Sequence, residues 1–355
     1  MKNAIVSQIR KAAEYKRHFG IINQMREGHT YTKLSSDQIK EVQSFYQMHF
    51  GKKISLKWHE YYVYVTKQFS PKYIPTYIYY SEMFPKLSKT AVMPVYSDKN
   101  MIRKLLGDRI LLPKTYGQNI NGIYYIDDCV VDKSKVCKNC MNLDDAVIKH
   151  SIDSSKGLSV LRFSSNQGTV SGKKCPQTID QLLEMYGSNF IIQEAIKQNE
   201  RMSQLNPTSL NTVRIMTYWG NKEIVPVFAV VRMGRKGSVV DNASAGGLYC
   251  GINMKDGSLK ENAYTLHPFS TNTESDNGIR FADFTIPKFA EMKSKAVELH
   301  QQLPYAKLIG WDLALNADNE IELVEINSNF PGLFQAATGP AFGDYTEEIL
   351  ERCKS

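Results

Sequence analysis

The stretch Lys307–Gly332, KLIGWDLALNADNEIELVEINSNFPG, decides the reading of this chain. Its two halves are strand-like, and Asn316, Asp318, Asn319 and Glu320 make a turn between them. The first half carries Asp312. The second carries Glu325 and Asn327 on alternate positions, so both side chains point to one face of a strand. A hairpin of this kind brings Asp312 beside that pair. Two carboxylates and an amide oxygen are hard ligands, suited to magnesium held through few protein groups. Carboxylates at strand ends are more often only solvated. Here Ile321, Leu323, Val324 and Ile326 make the strand read as buried, where an ionised Glu325 needs a counter-ion.

The 355 residues exceed one ordinary core, so two or three lobes around shared clefts are expected. The formal net charge is +8, and residues 1–60 hold eleven Lys/Arg against five Asp/Glu. Such a lobe suits an anionic partner: an acidic polymer, a membrane surface or a nucleic acid. No aromatic-plus-basic RNA signature accompanies it, so nucleic acid is set aside. AIVSQI is too short for a signal-peptide core, and no apolar run reaches a membrane span of about 18 residues. A cytoplasmic protein without a transmembrane segment is expected, with peripheral membrane association compatible. Cys137 and Cys140 have the spacing of a zinc knuckle or redox pair. Without a second such pair, the six cysteines read as reduced thiols.

Residues 7–25 and 35–51 show apolar positions at threes and fours and read as helices. Ser35–Asp37 caps the second and Gly51 stops it. Residues 55–87 crowd Tyr61, Tyr62, Tyr64, Tyr73, Tyr77, Tyr79 and Tyr80 between prolines. Core packing is the expectation, and stacking on carbohydrate the lesser reading. MIRKLLGD is a short helix capped from Ser97–Asn100, and residues 118–142 look like a hairpin-rich insertion. DDAVIKH is a strand ending near Lys149. A Ser/Gly loop with Ser154, Ser155, Lys156 and Gly157 follows, able to lay N–H groups and hydroxyls over a phosphate. The spacing is not that of a P-loop. PQTIDQLLEMYG is a helix with Thr178 or Gln177 near its start and Gly187 at its end. NFIIQEAI is a strand whose end, Glu194 with the backbone of Ala195 and Ile196, suits an adenine edge. NTVRIMTYW, EIVPVFAVVRMG and GGLYCGINM are three further strands. Arg214 and Arg232 lie inside them, near Asp241 and Asn242. Buried arginines point to an anion pocket or to an internal Arg–Asp pair. Residues 254–285 read as hairpin and loop, and residues 287–303 as an amphipathic helix.

NPTSLNTVRIMTY, VRMG…VVDNASAGGL and GWDLAL…ELVEINSNFPGLFQ, in that order after a VIK and a QEAI strand, resemble the ATP-grasp superfamily. The nearest likeness is to its bacterial branch associated with sugar transfer and polysaccharide synthesis. The resemblance covers about residues 70–345. It implies an α+β fold in which two α/β lobes grip ATP, behind a helical, aromatic-rich N-terminal region. The implied divisions are 1–90, 91–142, 143–200 and 201–355.

By that resemblance Lys149 and Lys99 would meet the phosphates, and Ser154, Ser155 and Gly157 would close over them. Glu194, Ala195 and Ile196 would take adenine, and Glu200 or Asn199 the ribose. Asp312, Glu325 and Asn327 would hold magnesium, or manganese in its place. Arg214, Arg232 and Asn242 resemble the anion-binding positions of ribosomal-protein glutamate ligases, and Asn211 and Asn329 join them on the substrate side. D-alanine–D-alanine ligases carry an arginine two residues before the metal aspartate, where this chain has Gly310, so Arg214 or Arg232 would take that role.

The implied chemistry is carboxylate–amine ligation through an acyl phosphate. Its expected partners are an acidic sugar or glycan carboxylate, such as a uronic acid of a capsule precursor, and a small-molecule amine. A sugar kinase and a non-catalytic ATP-binding module are the rival readings.

Overall fold

The computed structural model describes residues 2–26, 31, 33–152, 160–238, 241, 246–265, 271–328 and 332–354. Helices α1 (Lys2–Arg26), α2 (Ser36–His49) and α3 (Lys57–Thr66) open the chain. Ser35 caps α2 by accepting from the Gln38 N–H, and the Gln38 side chain returns the bond, a reciprocal box that fixes the start. A π turn at Tyr79–Met83 joins Thr76–Ile78 to Phe84–Leu87. The tyrosines of this region fill its core. Tyr61, Tyr62, Tyr73 and Tyr79 are fully buried and Tyr77 nearly so, and the Tyr62 and Tyr73 rings stack at 4.5 Å. These five rings cannot stack on a sugar, which removes that reading for them. Each contributes roughly 2–3 kcal/mol of burial before the entropy of ordering is counted.

Two antiparallel seven-stranded sheets follow. The first runs β3-β2-β1-β7-β4-β5-β6. Its strands are β1 (Thr115–Ile120), β2 (Ile123–Ile126), β3 (Cys129–Val131), β4 (Leu143–His150), β5 (Leu161–Asn166), β6 (Thr169–Ser171) and β7 (Phe190–Glu194). β1 pairs with β7, so residues 115–131 belong to this sheet and are no insertion. Helix α4 (Lys133–Asn139) packs beneath them, a helix the sequence reading lacked. Helix α5 (Ile179–Tyr186) is capped by a Thr178–Gln181 box and ended by Gly187 at φ +66°, a conformation that glycine adopts without strain.

The second sheet runs β12-β11-β10-β9-β8-β13-β14. Its strands are β8 (Thr212–Trp219), β9 (Ile224–Met233), β10 (Leu248–Ile252), β11 (Leu259–Tyr264), β12 (Thr271–Asn272), β13 (Leu308–Leu315) and β14 (Ile321–Asn327). Both its faces are covered. Val213, Ile215, Ala229, Val231, Ile309, Trp311 and Leu313 pack on helix α6 (Phe289–His300). Met216, Tyr218, Phe228, Val230 and Leu308 pack instead in the core shared with the N-terminal helices. Side chains alternate along a strand. Arg214, Arg232 and Asp312 therefore continue the face that Met216, Val230 and Leu308 open. One end of that face is apolar and covered by the N-terminal helices, and the other is polar.

Candidate active site

The register of three strands builds the polar end. Asp312 on β13 stands opposite Arg214 on β8 and opposite Glu325 on β14. One charged row crosses the sheet, and directly opposed side chains are the pairs that interact most strongly. A bulge makes the row possible. Asp312 pairs with Glu325 but Leu313 pairs with Leu323, so Val324 is an extra residue on β14. In a regular strand Leu323 and Glu325 would share a face. With one residue inserted, Leu323 joins the α6 core while Glu325 turns to Asp312.

Arg214 forks onto Asp312, Nε to Oδ1 at 2.5 Å and Nη2 to Oδ2, and Nη2 reaches Glu325 Oε1 at 3.3 Å. Arg232 Nη2 donates to Asp312 Oδ2 at 2.9 Å and pairs with Asp241 Oδ2 at 3.2 Å. Thr212 Oγ1 accepts from Arg232 Nε at 3.1 Å and donates to Asp241. Asn327 Nδ2 lies 3.1 Å from both Asp312 Oδ2 and Glu325 Oε1. The internal Arg–Asp pair weighed from sequence is therefore present, inside the cluster that was read as an anion pocket.

Lys99 reaches the row from the other sheet. Its backbone N–H donates to Ser151 O at 3.1 Å, and Asn100 beside it bonds Asn119 O. From that anchor its Nζ meets Glu325 Oε2 at 3.3 Å. Burial would raise the Glu325 carboxyl, but Lys99 and Arg214 overcome this and hold it well below the usual range. Lys149 on β4 is buried, and its amine is pushed down to about 8 by burial and by Lys99, against the pull of Glu325 and Asp312. Among the described residues the cluster sets four cations, Lys99, Lys149, Arg214 and Arg232, against three carboxylates, Asp241, Asp312 and Glu325. The surplus is positive, which suits an anionic ligand.

The far end of β7 meets the turn of the β13–β14 hairpin. Asn199 N donates to Leu315 O at 2.9 Å and Ala317 N to Lys197 O at 2.7 Å. Ala195 N–H donates to Asp145 O at 3.1 Å, so it is not free for an adenine edge. Ile196 N–H makes no hydrogen bond to another described residue. Asn199 Oδ1 caps the turn Glu200–Ser203, which leaves Glu200, with its exposed side chain, as the ribose candidate. Asn211 is also committed elsewhere. It is buried, and its Nδ2 donates to Met202 O at 2.9 Å and Asn206 O at 2.8 Å. Both hydrogens of that amide are thereby used to tie down the chain before β8. Ser154, Ser155, Gly157, Asn242 and Asn329 lie outside the described residues.

Three contributors were missed from sequence. Glu322 is buried near Glu194 and is raised by burial, although Asn316 Nδ2 bonds it at 2.9 Å. Phe334 places its ring 6.0 Å from the Arg214 guanidinium. Gln335, fully buried, joins the N-terminal region to the segment after β14. Its Nε2 donates to Tyr62 Oη and Ile74 O, each at 2.9 Å, and its Oε1 accepts from Ile74 N at 2.9 Å. A glutamine four residues before a glycine–proline pair gives no local sign of this.

The Asp312 and Glu325 carboxylates fit a hard cation that takes its remaining ligands from phosphates and water, and Asn327, whose Nδ2 faces both, would join them by turning its Oδ1 inward. Among the described residues no three His, Cys, Asp or Glu side chains gather into a cage of their own. None of the described helices is long and apolar enough to cross a membrane.

The model of the sugar-transfer associated ATP-grasp family matches residues 80–349. Among curated proteins none matches in sequence. Solved structures with a similar chain path include N5-carboxyaminoimidazole synthetase from Staphylococcus aureus complexed with ADP, 10% identical, covering 74% of this chain and 52% of that one at a TM-score of 0.40. The VanG D-Ala:D-Ser ligase of Enterococcus faecalis is 13% identical and covers 73% of this chain and 61% of that one, at 0.43. The biotin carboxylase domain of a Hydrogenobacter thermophilus 2-oxoglutarate carboxylase, in complex with MgADP and bicarbonate, is 8% identical and covers 75% and 47%, at 0.42. The chain thus spans about half to three-fifths of the length of these structures. None of these likenesses extends to activity.

Proposed function

Because the chain belongs to the sugar-transfer associated ATP-grasp family, we propose that it is an ATP-dependent ligase joining an acidic sugar carboxylate to a small amine. The carboxylate fits a uronic acid of a surface-polysaccharide precursor. The observation that carries the reading is the row Arg214–Asp312–Glu325, flanked by Lys99, Lys149 and Arg232 with one positive charge to spare.

Asp312, Glu325 and Asn327 would hold magnesium, which, when bound, neutralises charge developing on the phosphates. Lys149 is a buried amine whose charge is disfavoured until an anion arrives, so a polyphosphate gains more from it than from a solvated lysine. Lys99 is held by its backbone to one sheet and by its side chain to the other, which fixes the distance between the phosphate side and the metal side. Arg214 and Arg232, with their planar guanidinium forks, would receive the substrate carboxylate. In the first step a carboxylate oxygen bonds to the γ-phosphorus as the bond to the β–γ bridging oxygen breaks, giving an acyl phosphate and ADP. In the second the amine nitrogen attacks the acyl carbon, phosphate leaves with its oxygen, and the amine gives up one proton.

The test is a panel of uronic acids and amines with ATP and magnesium, read by mass spectrometry and by phosphate release. ADP, inorganic phosphate and an amide in equal amounts support the proposal. A phosphorylated sugar without free phosphate would make the enzyme a kinase. Phosphate release with peptides or free amino acids, but with no sugar acid, would overturn the substrate class.

A further inference from the structure

Residues 1–90 carry fifteen Lys/Arg against six Asp/Glu, while the other 265 residues carry twenty-nine against thirty. The whole positive excess therefore lies on the helical region. Some of it is neutralised internally: Lys11 and Lys52 pair with buried Glu82, and Lys72 pairs with Glu347. Arg10, Lys16, Arg17, Lys40 and Lys53 are exposed and make no ion pair with another described residue. Bare apolar side chains share these elements. Ile9 on α1 is 64% exposed, and Ile39 and Met48 on α2 are 37% and 65% exposed. Ile39, Lys40, Met48 and Lys53 line one shallow groove along α2, with no carboxylate among the lining residues. Gln43, bonded to both backbone groups of Ile54, and Gln47, bonded to Gly51 O, hold the loop carrying Lys53 against the helix. The groove is therefore a fixed shape.

We propose that this groove along α2, with Lys40, Lys53, Ile39 and Met48 at its surface, docks the protein on an anionic lipid bilayer. A soluble polyanion would be satisfied by the cations alone and gives Met48 and Ile39 no partner. A bilayer takes both, with headgroup charge meeting the amines and the interface receiving the apolar side chains. Each cation near such a surface strengthens partitioning by roughly fivefold, an effect that salt screens. The docking helices cover the same face of the second sheet that carries the charged row, so docking and cleft lie on one side of that sheet. The inference does not depend on the proposed reaction.

The purified full chain is sedimented with vesicles of phosphatidylcholine alone and of phosphatidylcholine mixed with phosphatidylserine. Binding to the mixed vesicles only is expected, and raised salt should weaken it. Lys40→Glu/Lys53→Glu should lose at least about tenfold in partitioning. Met48→Ser, at an exposed position that does not test folding, should lose a smaller but measurable part. Circular dichroism checks the fold of each variant. Equal sedimentation with both vesicle types would overturn the proposal. So would binding that soluble polygalacturonate competes away while Met48→Ser has no effect, which would make the face a polyanion site.

Discussion

Removing Arg214 should cost more than its hydrogen bonds, because of what it leaves behind. Asp312 is fully buried. In Arg214→Met it keeps only one bond each from Arg232, at 2.9 Å, and Asn327, at 3.1 Å. Breaking a buried ion pair from one side costs about 3–5 kcal/mol, and the surviving Arg232 bond sets the expectation near 3. Asp312→Asn alone strands two guanidiniums, but Arg214 keeps Glu325 and Arg232 keeps Asp241. Its cost should be about 2–3 kcal/mol. Combined, the two substitutions leave no uncompensated carboxylate at 312, so the double variant should lose only about 3 kcal/mol. The coupling energy is then about 2–3 kcal/mol, at the upper end for touching residues. Urea unfolding without nucleotide measures all four proteins, with buried Trp311 beside the site as the fluorophore. If the double variant lies within about 0.5 kcal/mol of the sum of the singles, the pair does not act as a unit and the cluster has been misread.

Other outcomes follow from the same geometry. Glu325→Gln keeps the shape but removes one of the converging carboxylates, and should lower turnover by about two to three orders of magnitude with the fold intact, checked by steady-state kinetics beside a thermal melt. Lys149, with its amine near 8, is protonated below that pH and neutral above it. Nucleotide affinity should therefore fall as pH rises through about 8, and in Lys149→Met a titration of affinity against pH should be flat over that range. His59 and His300 are fully buried and held down to about 4 by burial. The unfolded chain protonates them below about 6.5 while the folded chain does not. Stability should be full above that pH and decline between about 6.5 and 4, by up to about 3 kcal/mol per histidine, as urea unfolding across that range would record. A Cβ at Gly251 would stand 2.3 Å from Ala337 O, a backbone atom that cannot swing aside. Gly251→Ala should therefore lower the melting temperature by several degrees, on the order of the 1–3 kcal/mol that overpacking costs.

How much was legible depended on whether the deciding contact was local. The hairpin of Asp312, Glu325 and Asn327 could be read because alternation and a polar turn are short-range signals. The two helix caps at Ser35 and Thr178 were visible for the same reason. Arg214 and Arg232 stood out as charges inside apolar strands. The pairing of β1 with β7 joins residues some 70 apart, and nothing near either strand announces it. The backbone bonds of Asn211 and Asn199 were not legible, because an asparagine reads the same whether it bonds a substrate or its own backbone. The tyrosines had the composition of a stacking surface, and only burial shows that their faces are already covered.

The extra residue at Val324 has a consequence for how this protein can change over time. Deleting it would restore an even ladder that still sets Leu323 opposite Leu313 and Glu325 opposite Asp312, whereas straightening the bulge with Val324 kept would turn Glu325 and Asn327 into the α6 core. A slip of one residue thus separates a working edge from a misassembled one, although no side chain of the site would have been altered. Loss of Val324 should therefore be tolerated, whereas an insertion or deletion between Glu325 and Asn327, which parts them onto opposite faces, should be purged as strictly as substitution at Asp312.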